Sequence, residues 1–151
     1  MVRFDVPEET AAGSATLVTE VHLPTGIRLS LKLESEIDRR KSATGDQVVA
    51  RLGEDVRAGG VAIPAGSAAE GRIRDLRRGG DGRYVLLLEF SELRSAGVIA
   101  HFKGFVESIE KVKNVELHNS LTTPSELLVD ERRFPVSGIT LYYRTIAGAE
   151  R

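Results

Sequence analysis

Imidazole is the side chain that most readily exchanges a proton near neutral pH, and this chain of 151 residues carries three. They are His22, His101 and His118, and none has a histidine or glutamate at the spacing of known zinc motifs. We therefore predict no metal site. We interpret His22 and His101 as strand residues whose rings pack only partly.

Serine and carboxylate groups are the remaining candidates for covalent or acid-base chemistry, because the chain has no cysteine. Ser67 lies in the stretch AGSAA, which lacks the second glycine and the strand-to-helix setting of a G-x-S-x-G nucleophile elbow. Neighbouring carboxylates such as Glu34 and Glu36 cannot be assigned acid and base roles from the sequence, because those roles depend on the geometry of the two groups. We predict that the protein is not an enzyme, has no catalytic residue and binds no cofactor.

Arginine is the one residue type with a reactive or charged side chain that is concentrated in a short part of the sequence. One short stretch contains Arg72, Arg74, Arg77, Arg78 and Arg83. Such a set could form a positive patch that binds an anionic small ligand. Glu70, Asp75 and Asp81 share the stretch, however, and mixed charge is also typical of a solvated outer face. Because the formal net charge is −1, we predict no nucleic-acid partner.

Glycine is the other residue type whose spacing is distinctive. The stretch GGVAIPAGSAAEGRI, residues 59–73, could be a phosphate loop only if a helix followed it, and alternation after Gly66 argues against a helix. Pro64 cannot donate to a sheet, so the strand before it must stop or lie at an edge. We predict a hairpin followed by a type I turn, with proline second and glycine fourth.

The elements that hold these residues are mainly strands, since apolar and polar residues alternate with period two. Residues 27–34 alternate most regularly, with Ile27, Leu29, Leu31 and Leu33 on the inner face. Further strands are predicted over 48–52, 84–90 and 139–144, and over 98–109 with a bend at Gly104. The glycines of residues 79–82 predict a hairpin between 72–77 and 83–90.

The fold class that follows is all-β, a small barrel or a closely related sandwich. At most one short helix is predicted, near residues 119–128, with a cap before Pro124. Residues 1–16 are predicted to be an arm or edge strand with a linker, and residues 17–151 a single domain. No stretch is long and apolar enough to span a membrane as a helix.

The motifs at residues 45–50, 60–67 and 71–73 resemble the core of TrbI-like β-barrel domains from conjugation and type IV secretion channels. The resemblance covers residues 22–106. It implies a small non-catalytic barrel that assembles through protein contacts in the bacterial cell envelope. That compartment requires an export signal outside the printed sequence, since residues 1–6 do not resemble one; otherwise a cytoplasmic location is expected.

A second resemblance is to PilZ domains, barrels that bind cyclic dinucleotides through an R-x-x-x-R arm and a [DN]-x-S-x-x-G strand. Arg74 and Arg78 match the arm, and Glu89 and Arg94 depart from the strand motif.

From the sequence as a whole we predict a non-catalytic interaction or structural module with a protein partner or self-association. The alternative is a cytoplasmic PilZ-like sensor with a degenerate motif.

Overall fold

The computed structural model describes residues 18–58, 60–118 and 125–146, and these ranges fold into strands joined by turns. In chain order the strands are β1 (Thr19–His22), β2 (Arg28–Leu33), β3 (Gln47–Leu52), β4 (Val56–Ala58), β5 (Val61–Ile63), β6 (Ala68–Arg78), β7 (Tyr84–Ser95), β8 (Val98–His101), β9 (Lys103–Ile109), β10 (Val115–His118), β11 (Glu126–Val129) and β12 (Thr140–Ile146). A 3₁₀ turn, Glu131–Arg133, precedes β12. The all-β prediction is confirmed.

One long antiparallel sheet has the strand order β9-β12-β2-β3-β6-β7-β11-β10. β8 pairs with the end of β7, and β1 pairs with β8 in parallel. The sheet curls so that β9, at one end, comes back beside β7. Strands β4 and β5 form a small second sheet. The result is barrel-like, as the sequence predicted.

Period-two alternation explains why the sheet has an apolar inside. Leu29, Leu31 and Leu33 of β2 are buried and the residues between them face outward, because successive side chains of a strand point to opposite faces. The last strand, β12, contributes Leu141 and Tyr143 to the same core. The predicted inner faces are therefore correct, although Ile27 lies just before β2 and is only half-buried.

The corner at Pro64 is a structural turn, but of a different type from the one predicted. The Ser67 N–H donates to the Pro64 carbonyl at 3.2 Å, so proline is the first residue of the turn and Gly66 the third. Gly66 has φ +92°, which is the conformation that a type II turn requires at its third position. The Gly66 N–H also donates to Leu52 O at 2.7 Å, which fastens the corner to β3. A strand, β6, follows it.

The segment 119–128, for which the sequence allowed at most one short helix, is a strand where the structure describes it. Glu126–Val129 is strand β11, paired with β10 on one side and β7 on the other. Leu127 and Val129 are buried, so pairing and burial override the local helix signal of this segment. Residues 119–124, including Pro124 and its predicted caps, lie outside the described residues.

The long strand predicted over residues 98–109 is interrupted at Phe102, two residues before Gly104, where a bend was expected. Phe102 separates β8 from β9, and its N–H donates to Ser91 O at 3.0 Å. An irregularity in the β9–β12 register comes later, between Val106 and Ser108. Gly104 instead leaves room for the ring of Tyr143, because a Cβ at this position would lie 2.7 Å from that ring.

The predicted arm, residues 1–16, lies outside the described residues, which begin at Val18. Within the described ranges, no helix has the length and apolar character needed to cross a membrane.

Candidate functional site

The predicted arginine patch lies along the β6–β7 hairpin, and each of its members already has an acceptor in this chain. Arg72 donates to Gly45 O at 2.9 Å, and Arg74 pairs with Glu89 at 3.4 Å. Arg77 pairs with Asp75 at 2.8 Å. These pairs are exposed, and pairs of this kind contribute little to stability. The acceptors differ from one arginine to the next, so the structure does not bring the five guanidinium groups to one common partner.

Arg83 is the most strongly paired member of the predicted patch. It donates to Asp81 at 2.7 Å and to Glu116 of β10 at 2.9 Å. Hydrogen bonds from the Arg83 backbone and side chain hold the pKa of Asp81 below its ordinary value. The hydrogen bonds to Asp81 and then Glu116 raise the pKa of Arg83. Both groups therefore stay charged at neutral pH, and their charges neutralise each other.

Arg78 belongs to a cluster that the sequence did not predict. Its guanidinium lies 3.5 Å from Glu131, which also pairs with Arg39 at 3.0 Å. Both guanidinium carbons lie 5.8 Å from the centroid of the Tyr84 ring, and Phe134 meets that ring edge-on at 5.3 Å. The cluster joins three segments that are distant in sequence, namely residue 39, the β6–β7 hairpin and residues 131–134. Glu131 supplies the shared carboxylate, so this part of the predicted anion patch already contains an anion.

The histidines lie on strands, as predicted for His22 and His101. The Nε2 atom of His101 lies 2.7 Å from Glu20 of β1, and its Nδ1 atom lies 3.6 Å from Glu92 of β7. The His22 ring is 5.3 Å from that of His101. This group fastens β1 to β8. In the described part of the chain, no group of three or more histidine or acidic residues could hold a metal ion.

A gap in the pairing of β7 is the feature of the sheet most relevant to binding. One edge of β7 pairs with β11 up to Leu86 and with β8 from Glu92 onward. Between these points, residues 87–90 face β9, which is the terminal strand of the sheet and pairs with β12 alone among the described strands. We call this junction of residues 87–90 and 104–106 the seam.

Tyr143 closes the seam from the inside. Its hydroxyl donates to Phe90 O at 3.3 Å and accepts from the Phe90 N–H at 3.2 Å, so it occupies the place of a missing strand partner. Phe90 and Phe102 meet the ring edge-on at 6.0 and 5.7 Å. Burial raises the pKa of Tyr143 to about 12. The absent side chain at Gly104 makes room for the ring.

Outside Tyr143 the seam is a groove of about 220 Å³ lined by apolar residues, by Ser125 and by the charged residues Arg74 and Glu89. Leu88, Val106 and Tyr143 form the floor, and Leu87 and Phe105 line the outer side. Phe105 is 37% exposed, and Ile146 on the neighbouring strand is 42% exposed. Phe105 and Ile146 lie on the same outer face of two paired strands, and neighbouring exposed apolar side chains, unlike isolated ones, indicate a contact surface.

Sequence reasoning missed this surface although one signal was present. The residues Lys103, Phe105 and Glu107 alternate with inward positions, so Phe105 was recognisable as an outward-facing aromatic residue. The pairing order that leaves β9 terminal could not be read from the sequence, because it depends on contacts between distant segments.

A comparison with protein-family models finds no match, and a comparison with curated proteins finds none either. The resemblances to TrbI-like and PilZ barrels therefore remain predictions based on their motifs.

Proposed function

We propose that this protein is a non-catalytic interaction module that binds another protein chain at the seam between β7 and β9. The observation that carries the proposal is the exposed Phe105 on a terminal strand, beside an apolar groove. The TrbI-like resemblance adds an assembly of the bacterial envelope as the setting for that partner.

The chemistry of the groove favours a protein partner over a charged small molecule. Its floor is apolar, and the two charged residues at its edge, Arg74 and Glu89, pair with each other at 3.4 Å. An apolar side chain of a partner would bury this surface, and each Å² of apolar surface removed from water contributes about 25 cal/mol of favourable free energy. A strand edge adds directional backbone hydrogen bonds, which is how many domains bind extended segments.

Photo-crosslinking tests this proposal. A photoreactive phenylalanine analogue at Phe105 is expected to give covalent protein adducts in cells that naturally express the chain. The same analogue at Lys32, an exposed residue on the interior strand β2, is the control and is expected to give few. Equal adduct yields at the two positions, or none at Phe105, would contradict the proposal.

The alternative is a PilZ-like sensor that binds a cyclic dinucleotide at Arg74 and Arg78. The observation in its favour is that these two exposed arginines lie on one strand, β6. A ligand that binds Arg74 and Arg78 must displace Glu89 and Glu131 from these arginines, so two ion pairs are lost when it binds. A sensor gains thermal stability with ligand, since binding to the native state alone raises the apparent stability. We expect no change in melting temperature at saturating cyclic dinucleotide; a rise that Arg74→Ala abolishes would favour the sensor.

A further inference from the structure

We infer that the partner bound at the seam presents an acidic protein segment to the outer face of β9, β12 and β2. In this segment, carboxylates flank an apolar side chain. The inference rests on the proposed function and names the chemistry of its partner. The surface that receives the segment, which we call the cationic face, consists of Lys103, Phe105, Arg144, Ile146 and Arg28.

Positive charge is concentrated in this part of the sheet. Strands β9, β12 and β2 together contain four cationic residues and one acidic residue. They belong to a chain whose formal net charge is −1, so the other residues carry an excess of negative charge. The arginines of the β6–β7 hairpin differ, since most of them pair with carboxylates of the same chain. Surface charge of one sign steers partners of the opposite sign toward the place where they bind.

Apolar and cationic side chains alternate on the cationic face. Lys103 lies opposite Ile146 in the β9–β12 register, and Phe105 lies opposite Arg144. Each exposed apolar side chain therefore has one cation across from it and another two residues along its own strand. Opposite side chains of paired strands lie about 5 Å apart, and those two residues apart on one strand lie about 7 Å apart. A short segment can therefore contact all four side chains.

The cations of the face are only partly neutralised from within the chain. Arg28 lies opposite Arg144, and like charges at such a position destabilise a strand pair. Arg144 pairs with Glu107 at 2.9 Å. Among the residues that the structure describes, Arg28 and Lys103 have no carboxylate partner, and Arg28 lies over the Tyr142 ring, 4.8 Å from its centroid. A partner's carboxylate between Arg28 and Arg144 would relieve their repulsion.

A protein segment fits this surface better than a nucleic acid does. Phe105 lines the groove and also belongs to the cationic face, so a chain that fills the groove at Phe105 reaches the cations beside it. An extended peptide places alternate side chains on one side at a spacing of about 7 Å, which matches the spacing of Lys103 and Phe105. Nucleic acids bind chiefly through many phosphate contacts, and the aliphatic Ile146 makes none.

The charges of the face make binding dependent on salt. Exposed ion pairs are individually weak, and ionic screening acts over about 8 Å at physiological ionic strength. We therefore expect a reversible complex with a dissociation constant in the micromolar range, which weakens as salt is added.

Photo-crosslinking with charge variants tests the inference. The photoreactive analogue at Phe105 is introduced into the wild-type chain and into Arg28→Glu and Lys32→Glu, in cells that naturally express the chain. Arg28→Glu is expected to lower the yield of protein adducts about tenfold, because attraction for a carboxylate becomes repulsion. Lys32→Glu is expected to leave the yield unchanged, because Lys32 lies about 13 Å further along β2 and its charge is screened over that distance.

The two substitutions are matched in their effect on folding. Arg28 lies opposite Arg144 and Lys32 lies opposite Arg51, and each of those opposite arginines already has a carboxylate partner. Each variant turns a like-charged pair across the strands into an oppositely charged one, so both are expected to melt close to the wild type. If Arg28→Glu does not fold, Lys103→Glu takes its place, with the same loss of adducts expected.

Mass spectrometry of the adducts identifies the chemistry of the partner. The segment linked to position 105 is expected to have aspartate or glutamate on both sides of the linked residue. A segment without acidic residues would overturn the inference, as would an adduct whose mass shift is removed by nuclease.

The charge variants can contradict the inference independently. Equal adduct yields from the wild type and Arg28→Glu would do so, as would equal losses in Arg28→Glu and Lys32→Glu. The proposed function fails separately. Protein adducts whose yield does not depend on these charges would overturn the acidic partner and leave the interaction module standing, whereas absence of any adduct from position 105 would overturn both.

Discussion

Gly71→Ala is expected to lower the free energy of unfolding by about 3 kcal/mol, because a Cβ at this position has no room. It would lie 2.2 Å from Glu89 O and 2.7 Å from Phe90 Cα, and both neighbours are backbone atoms of β7. The register of the β6–β7 hairpin shifts between Glu70 and Gly71, so the missing side chain lets the two strands approach there. The strain would reach Phe90, the residue that Tyr143 contacts across the seam.

Gly80→Ala is the matched control for this substitution. Gly80 is exposed in the turn between β6 and β7, has no heavy atom within 4 Å of a built Cβ, and has no positive φ. Its alanine variant is expected to change stability by less than about 0.5 kcal/mol. Urea titrations of both variants measure the difference. If Gly71→Ala and Gly80→Ala unfold at equal urea concentrations, the backbones of β6 and β7 do not approach as closely at Gly71 as described.

Tyr143→Phe is expected to lower the free energy of unfolding by about 2 kcal/mol while leaving the core filled. The variant removes only the hydroxyl, which leaves the Phe90 N–H and carbonyl buried without the partner that they have now. Tyr142→Phe is the control. Tyr142 lies on the outer face of β12, where Arg28 stacks on its ring, and that stacking does not require the hydroxyl. Similar losses for the two variants would contradict the role of Tyr143 at the seam.

The pH dependence of stability gives Tyr143 a second signature. Its pKa is raised to about 12 in the folded chain, from 10.0 for an ordinary tyrosine. The unfolded chain therefore releases this proton first, so the stabilisation is complete below pH 10 and is lost as the pH rises toward 12. The stability difference between the wild type and Tyr143→Phe, about 2 kcal/mol at neutral pH, should fall to near zero over that window. A difference that stays constant from pH 8 to pH 12 would contradict the burial of a protonated hydroxyl.

The local parts of this fold were predictable and the tertiary parts were not. The inner face of β2 and the long β6–β7 hairpin follow from alternation and from glycine, which act within a few residues. The sequence left a short helix possible at β11, because a four-residue strand has little local signal and its two neighbours along the sheet decide its conformation.

In the candidate site, too, the local features were predictable from the sequence and the contacts between distant segments were not. The arginines of the hairpin were found from the sequence, but their carboxylates were not, since Glu131 and Glu116 come from distant segments. Mixed charge within the stretch had indicated a solvated face as one of two interpretations, and the ion pairs are in keeping with it. The seam depends on which strand ends the sheet, and no local pattern around Phe105 determines that.

Amide hydrogen exchange along β9, measured by NMR in a dilute monomeric sample, tests the open edge most directly. We expect the Lys103 and Phe105 amides to exchange slowly, because they face β12, and the Gly104 and Val106 amides to exchange quickly, because they face the groove. Alternating protection of this kind is the expected result. Protection of Gly104 and Val106 equal to that of Phe105 would mean that the edge is already occupied within one chain, and would contradict the surface on which the proposed function depends.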